Sequence, residues 1–100
     1  MTRMCLVLEK DIEKRVCDYA KDNNFLVYKF TSPMRAAVPD RLLIHPTGHV
    51  IFIEFKKSGE KPTPAQEREH LRLRQHKVSV YVIDNVDDGL RMVDEMLASC

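Results

Sequence analysis

Asp40 and Glu54 stand on either side of a turn, with thirteen residues between them, and that spacing decides what the middle of the chain can become. Leu42, Leu43 and Ile44 follow Asp40, and Val50, Ile51, Phe52 and Ile53 precede Glu54. Both runs are short and rich in branched or aromatic residues, so they predict a β-hairpin joined by Pro46-Thr47-Gly48. Pro46 suits the second position of a type I turn, and Gly48 suits the left-handed residue after it. A loop of these three residues pairs His45 with His49 and, counted outward, sets Asp40 opposite Glu54. Side chains alternate along a strand, so Glu54 and Lys56 share a face with Asp40, and Ile51, Ile53 and Phe55 take the other. A loop one residue longer or shorter turns Asp40 to the wrong face.

Two carboxylates facing one another across a hairpin repel unless a cation lies between them. Hard divalent ions such as Mg²⁺ take oxygen ligands and keep several waters. A lysine beside them can orient water or neutralise charge developing on a phosphate. The pattern therefore fits a metal-dependent phosphodiesterase site. A plainer account also fits: Glu54 and Lys56 as a surface ion pair, with Asp40 merely starting its strand after Pro39.

The rest of the chain predicts what surrounds the hairpin. Residues 1–7 read as a short lead-in. A first helix is expected from about Glu9 to Asp22, on Ile12, Val16, Tyr19 and Ala20, ending at Asn23-Asn24. Glu9 and Glu13 lie on the same stripe as Ile12. Acids there answer the helix dipole, or supply a third carboxylate to the site. Phe25–Phe30 reads as strand one. The loop 31–38 carries Arg35, either a solvated side chain or a phosphate contact. Arg41 alternates to the face away from Asp40.

A second helix begins with Thr63 as N-cap, Pro64 at its first position and Gln66 closing a capping box. Ala65, Leu71 and Leu73 are its expected packing residues, and His70 and His76 read as surface or DNA-facing. Val78–Ile83, an apolar run, is expected as a strand buried in the sheet interior, reached from strand three by a right-handed crossover. The last helix is expected from Val86 or Asp87 to Leu97, with Leu90, Val93 and Leu97 on one face and Gly89 weakening it modestly. The fold class is thus α/β, in the order α-β-β-β-α-β plus a C-terminal helix, with a mixed four-stranded sheet flanked by helices. Residues 1–100 are expected to form one domain.

Charge is informative locally. The net charge of +1 announces no partner, but residues 56–77 hold seven Lys or Arg against three Glu, and residues 84–95 hold five acids against one Arg. Lys57, Lys61, Arg68 and Arg72 are the expected DNA contacts, with Arg35. Cys5, Cys17 and Cys100 are widely spaced and show no zinc pattern, which fits reduced thiols in a cytosolic setting. No run approaches the length of a membrane span, and no membrane partner is expected.

Pro39-Asp40…Glu54-Phe55-Lys56 resembles the PD-(D/E)xK nuclease signature. Its continuation, Lys56 to Gln66, resembles the VRR-NUC branch (virus-type replication-repair nuclease), in which a Gln opens the helix after the lysine. The likeness runs from about Glu9 to Val86. It implies a restriction-endonuclease-like core and a DNA endonuclease using Mg²⁺ or Mn²⁺. Asp40, Glu54 and the Phe55 carbonyl would hold the ion. Lys56 would serve water or the transition state, Gln66 would orient the phosphate or Lys56, and a helix-one Glu would assist. VRR-NUC proteins favour Glu9 for that role, and more distant junction-resolving relatives favour Glu13. The implied products carry a 5′-phosphate and a 3′-hydroxyl. Stand-alone members resemble homodimers, and a two-fold dimer suits branched DNA such as a Holliday junction. A viral resolvase in the host cytoplasm, acting in DNA repair or recombination, follows as the expectation. The rival expectations are a DNA-binding module without catalysis and an interaction protein with an incidental motif. Strand one and helix three are the expected dimer surfaces.

Overall fold

The computed structural model describes residues 8–99; the lead-in expected over residues 1–7, Cys5 and Cys100 lie outside the described residues. Helix α1 spans Glu9–Asp22, strand β1 Leu26–Lys29, β2 Arg41–Ile44, β3 Val50–Phe55, helix α2 Pro64–Gln75, β4 Ser79–Ile83 and helix α3 Val86–Ser99. Ile12, Val16 and Ala20 recur at four-residue spacing in α1, and all three are fully buried. The helix ends as Asn24 takes the left-handed conformation (φ 70°), and the Phe25 amide donates to Ala20 O at 3.0 Å.

The sheet order is β1-β2-β3-β4. The first three strands are antiparallel, and β4 runs parallel to β3 after the α2 crossover. The hairpin has the expected register. Leu42 pairs with Phe52 and Ile44 with Val50. His45 N donates to His49 O at 2.8 Å, and Gly48, at φ 95°, donates back to His45 O at 2.7 Å. The turn is held further by His45 Nδ1, which accepts from the Thr47 amide at 3.0 Å.

This register divides the sheet into two unlike faces. Ile51, Ile53, Phe55 and Leu43 point to the core, where they meet Ile12 and Val16 of α1 and Met92, Val93 and Met96 of α3. The opposite face carries Phe52 and Glu54, with α2 lying over its Glu54 end.

Three expectations are corrected. First, β4 is an edge strand, not an interior one: Ile83 is buried on the core face, and on the other face Val80 is buried while Val82 stays exposed. Its free edge is partly used, because Arg74 Nη2 donates to Val80 O at 2.7 Å. Second, the buried face of α3 is Gly89, Met92, Val93 and Met96, without Leu90. Gly89 is there because α1 leaves no room for more. A Cβ at that position would lie 2.3 Å from Val16 Cγ2. Third, Leu71 of α2 is 55% exposed and Ala65 is exposed, while Glu69 and His70 are buried. Helix α2 covers polar groups at the end of the sheet, so its inward face is polar too.

Candidate active site at the carboxylate hairpin

With Arg41 paired to Ile53, the next residues outward are Asp40 and Glu54, which therefore oppose one another at the open end of the hairpin. Phe30 N donates to Asp40 O at 2.9 Å and carries the β1–β2 pairing up to the same row. The Asp40 carboxylate leans across to β3, where Oδ2 accepts from the Phe55 amide at 2.9 Å. Lys56 follows, its amide bonded to Ile83 O of β4 at 2.9 Å. Its side chain does not extend into solvent: Lys56 is 8% exposed and Glu54 only 2%. That burial rules out the surface ion pair as an account of this pair.

Burying a carboxylate beside another is unfavourable for the charged form. Burial first, then the charge of Asp40 and a hydrogen bond with it, push the Glu54 carboxyl up to about 8; Lys56 opposes the rise. Glu9, at the start of α1, is also raised, by burial and then by Asp40, again with Lys56 opposing. Glu9, Glu13, Phe30, Thr31 and Asp40 line a cleft of about 230 Å³ on this side. The two helix-one candidates differ in partner. Glu13 is ion-paired with Arg41, which lies on the core side of β2 as alternation predicts. Glu9 is left to the field of Asp40 and Lys56.

Gln66 closes the expected capping box and also turns its side chain toward the carboxylates, where its partner is Glu54. Its Oε1 accepts from the Thr63 amide at 2.9 Å, and Thr63 Oγ1 accepts from Gln66 N at 3.1 Å. With the carbonyl end committed to the cap, the amide end donates to Glu54 Oε2 at 3.2 Å. One turn along, His70 Nε2 lies 3.5 Å from Glu54 Oε1, and both atoms are buried without a hydrogen-bond partner. The surface role expected for His70 is therefore wrong; the imidazole is 1% exposed. Burial, then Arg74 and Lys56, hold its pKa below the usual imidazole range, which favours the neutral ring. The i, i+4 spacing of Gln66 and His70 was the available signal. His76 caps α2 instead, with Nδ1 2.8 Å from Arg72 O.

The donor set can be tested against a divalent cation. Among the described residues no three or more His, Cys, Asp or Glu side chains are gathered to hold a metal. Two facing carboxylates, one buried oxygen lacking a donor and an adjacent main-chain carbonyl still fit a hard ion that keeps several waters. All donors are oxygen, so Mg²⁺ or Mn²⁺ fits better than a softer metal.

The basic residues do not form one stripe. Arg35, Arg68 and Arg72 line a groove of about 440 Å³ along one flank of α2. Within it Glu69 holds Arg35 at 3.1 Å and Arg72 at 3.5 Å. Lys61 lies on the other flank, in a groove shared with Glu67, Arg74 and Asp84. Lys57 is exposed in the loop between β3 and α2.

No family model matches the chain. It is 46% identical over 84 residues to "Putative nuclease p44" of Acyrthosiphon pisum secondary endosymbiont phage 1, covering 84% of this chain and 90% of the relative. A solved structure titled "VRR_NUC domain" superposes with a TM-score of 0.76 at 31% identity, covering 90% of this chain and 94% of that one. A second, "VRR_NUC domain protein", superposes at 0.71 with 18% identity over 90% and 88% of the two chains, and shares the fold. With near-complete coverage at these identities, the chain belongs to the VRR-NUC (virus-type replication-repair nuclease) family.

Proposed function

We propose that this protein is a metal-dependent DNA endonuclease selective for branched structures. The observation that carries the reading is the register-opposed pair of half-buried Asp40 and buried Glu54, with buried Lys56 beside it. A fold gains nothing from two facing carboxylates unless something positive is to sit between them. The phage relative's name supports the nuclease reading.

Asp40, Glu54 and the Phe55 carbonyl would hold Mg²⁺ or Mn²⁺. Such an ion, when bound, lowers the pKa of its water and polarises a phosphodiester. Lys56 presents its ammonium from a buried stem, where a positive charge acts more strongly on developing phosphate charge than in water. Gln66 fixes the Glu54 carboxylate from α2. Glu9 borders the cleft with a raised pKa, placed to accept a proton from water. Glu13, engaged by Arg41, has a supporting role at most.

The DNA would lie across the site, with phosphates over Arg68 and Arg72 on one flank of α2 and Lys57 and Lys61 on the other. Arg35 joins the first flank through Glu69. Residues 1–100 would act as one nuclease unit. A homodimer would give two such sites and suit a four-way junction. The apolar face of α3 is occupied by the core, whereas Leu26 and Tyr28 of β1 are half exposed on the Glu54 side of the sheet. The β1 side is therefore the dimer surface in this reading.

The test uses labelled single strand, duplex, flap and four-way junction with Mg²⁺ or Mn²⁺, beside sedimentation of the free protein. Preferential cutting of the junction by a dimer supports the reading. Binding without cutting supports the non-catalytic module, and no salt-sensitive binding at all contradicts both.

A further inference from the structure

Glu54 is approached from α2 by two side chains, one at each oxygen. Gln66 reaches Oε2, and His70 reaches toward Oε1. The two are one helical turn apart, so both project from the same face of α2 onto the same carboxylate. Gln66 makes its bond. His70 does not: at 3.5 Å its Nε2 stops short, and Nε2 and Oε1 are both buried with no other partner. Two facing unpaired polar atoms, with water excluded, are costly unless some state of the protein pairs them.

We propose that His70 is a positioning residue for Glu54, completing with Gln66 a two-point grip that fixes how the carboxylate is presented to a divalent cation. This rests on the metal-dependent reading above. Each carboxylate oxygen has two lone pairs, so Oε1 can accept from His70 and still face an ion. A shift of a few tenths of an ångström closes the 3.5 Å gap to a hydrogen bond. Hydrogen bonds at such sites are often long before the ion or substrate arrives. His70 touches neither substrate nor the reacting atoms; it acts through Glu54. Partners of this kind that orient a metal-ligating side chain change metal affinity on the order of 10–100-fold when lost.

The test uses the full chain and three variants, His70→Leu, His70→Gln and His70→Asn. A Gln amide nitrogen sits where Nε2 does, whereas the Asn amide falls nearer Nδ1. The readouts are Mn²⁺ binding by calorimetry, the rise in Tm on adding Mn²⁺, and the Mn²⁺ concentration for half-maximal cleavage. His70→Leu and His70→Asn are expected to weaken Mn²⁺ binding about tenfold or more, and His70→Gln to return it to within about threefold of wild type. A packing role predicts otherwise, because Leu fills the space best. If His70→Leu does not fold, the Gln-versus-Asn order decides. Wild-type affinity in all three variants, or Asn rescuing better than Gln, overturns the proposal alone. A wild-type protein that neither binds Mn²⁺ nor cleaves overturns the metal-dependent reading with it.

Discussion

At the scale of single residues, the site is defined by what burial does to charge. Lys56 offsets the mutual repulsion of Asp40, Glu54 and Glu9. Replacing it by Ala is expected to lower cleavage about 10²–10³-fold while DNA affinity stays within about threefold, measured by single-turnover kinetics beside a gel shift. Glu54 gives a second test. Its carboxyl, ordinarily 4.5, is pushed up to about 8 in the folded metal-free protein. Between those values the folded state binds more protons than the unfolded one, so this contribution is full below about pH 4.5 and lost as the pH rises to about 8. Metal-free protein should therefore melt at least about 5 °C lower at pH 8 than at pH 5, with Glu54→Gln reducing the difference. A difference unchanged by Glu54→Gln would assign the pH dependence to other groups. Asp40, Glu54 and Lys56 were legible because each falls on, or one residue beyond, a strand with a two-residue period. His70 was not. Its i, i+4 spacing from Gln66 was the one signal, and on a charged helix that spacing does not say what the histidine faces until the helix is docked.

At the scale of elements, the turn 46–48 and the cap at Thr63 matter most. Each was readable because local chemistry leaves few alternatives: a Gly at positive φ in one case, a Thr-Pro-x-Gln start in the other. What α2 and α3 pack against was harder to read. Leu71 looked like core and is exposed, and Gly89 looked like a weakness and is a requirement. Helical period gives a stripe, not the identity or distance of what lies under it. Val16 is β-branched and keeps one rotamer in a helix, so it has little freedom to move away from a new methyl. Gly89→Ala should therefore lower stability by about 1–3 kcal/mol despite its better helix propensity. Thermal unfolding checks this, and Val16→Ala should restore part of the loss in the double variant. A Gly89→Ala protein more stable than wild type would contradict the close α1–α3 packing.

At the scale of the whole molecule, the two sheet faces divide the work. One is closed by α1 and α3 and forms the core; the other carries the carboxylates, α2 and the two flanking grooves. The net charge of +1 leaves DNA affinity to local cations. If Lys61 and Arg68 each meet a phosphate, replacing either by Ala should reduce the slope of log K against log salt by about 0.9. Unchanged slopes would place the DNA elsewhere. The α/β order was legible from the alternation of periods along the chain. The edge position of β4 was not, because a continuous apolar run does not say how many of its sides are covered.

The measurement that bears most directly on the account is cleavage of a labelled four-way junction as a function of Mn²⁺, by wild type and by Asp40→Asn. Asp40→Asn keeps the side chain's shape and its acceptor for the Phe55 amide, but loses the negative charge. The account predicts cutting by wild type that rises with Mn²⁺ and stops on chelation, and none above background by Asp40→Asn at equal DNA binding. Equal cutting by both proteins, or cutting that persists after chelation, would contradict it.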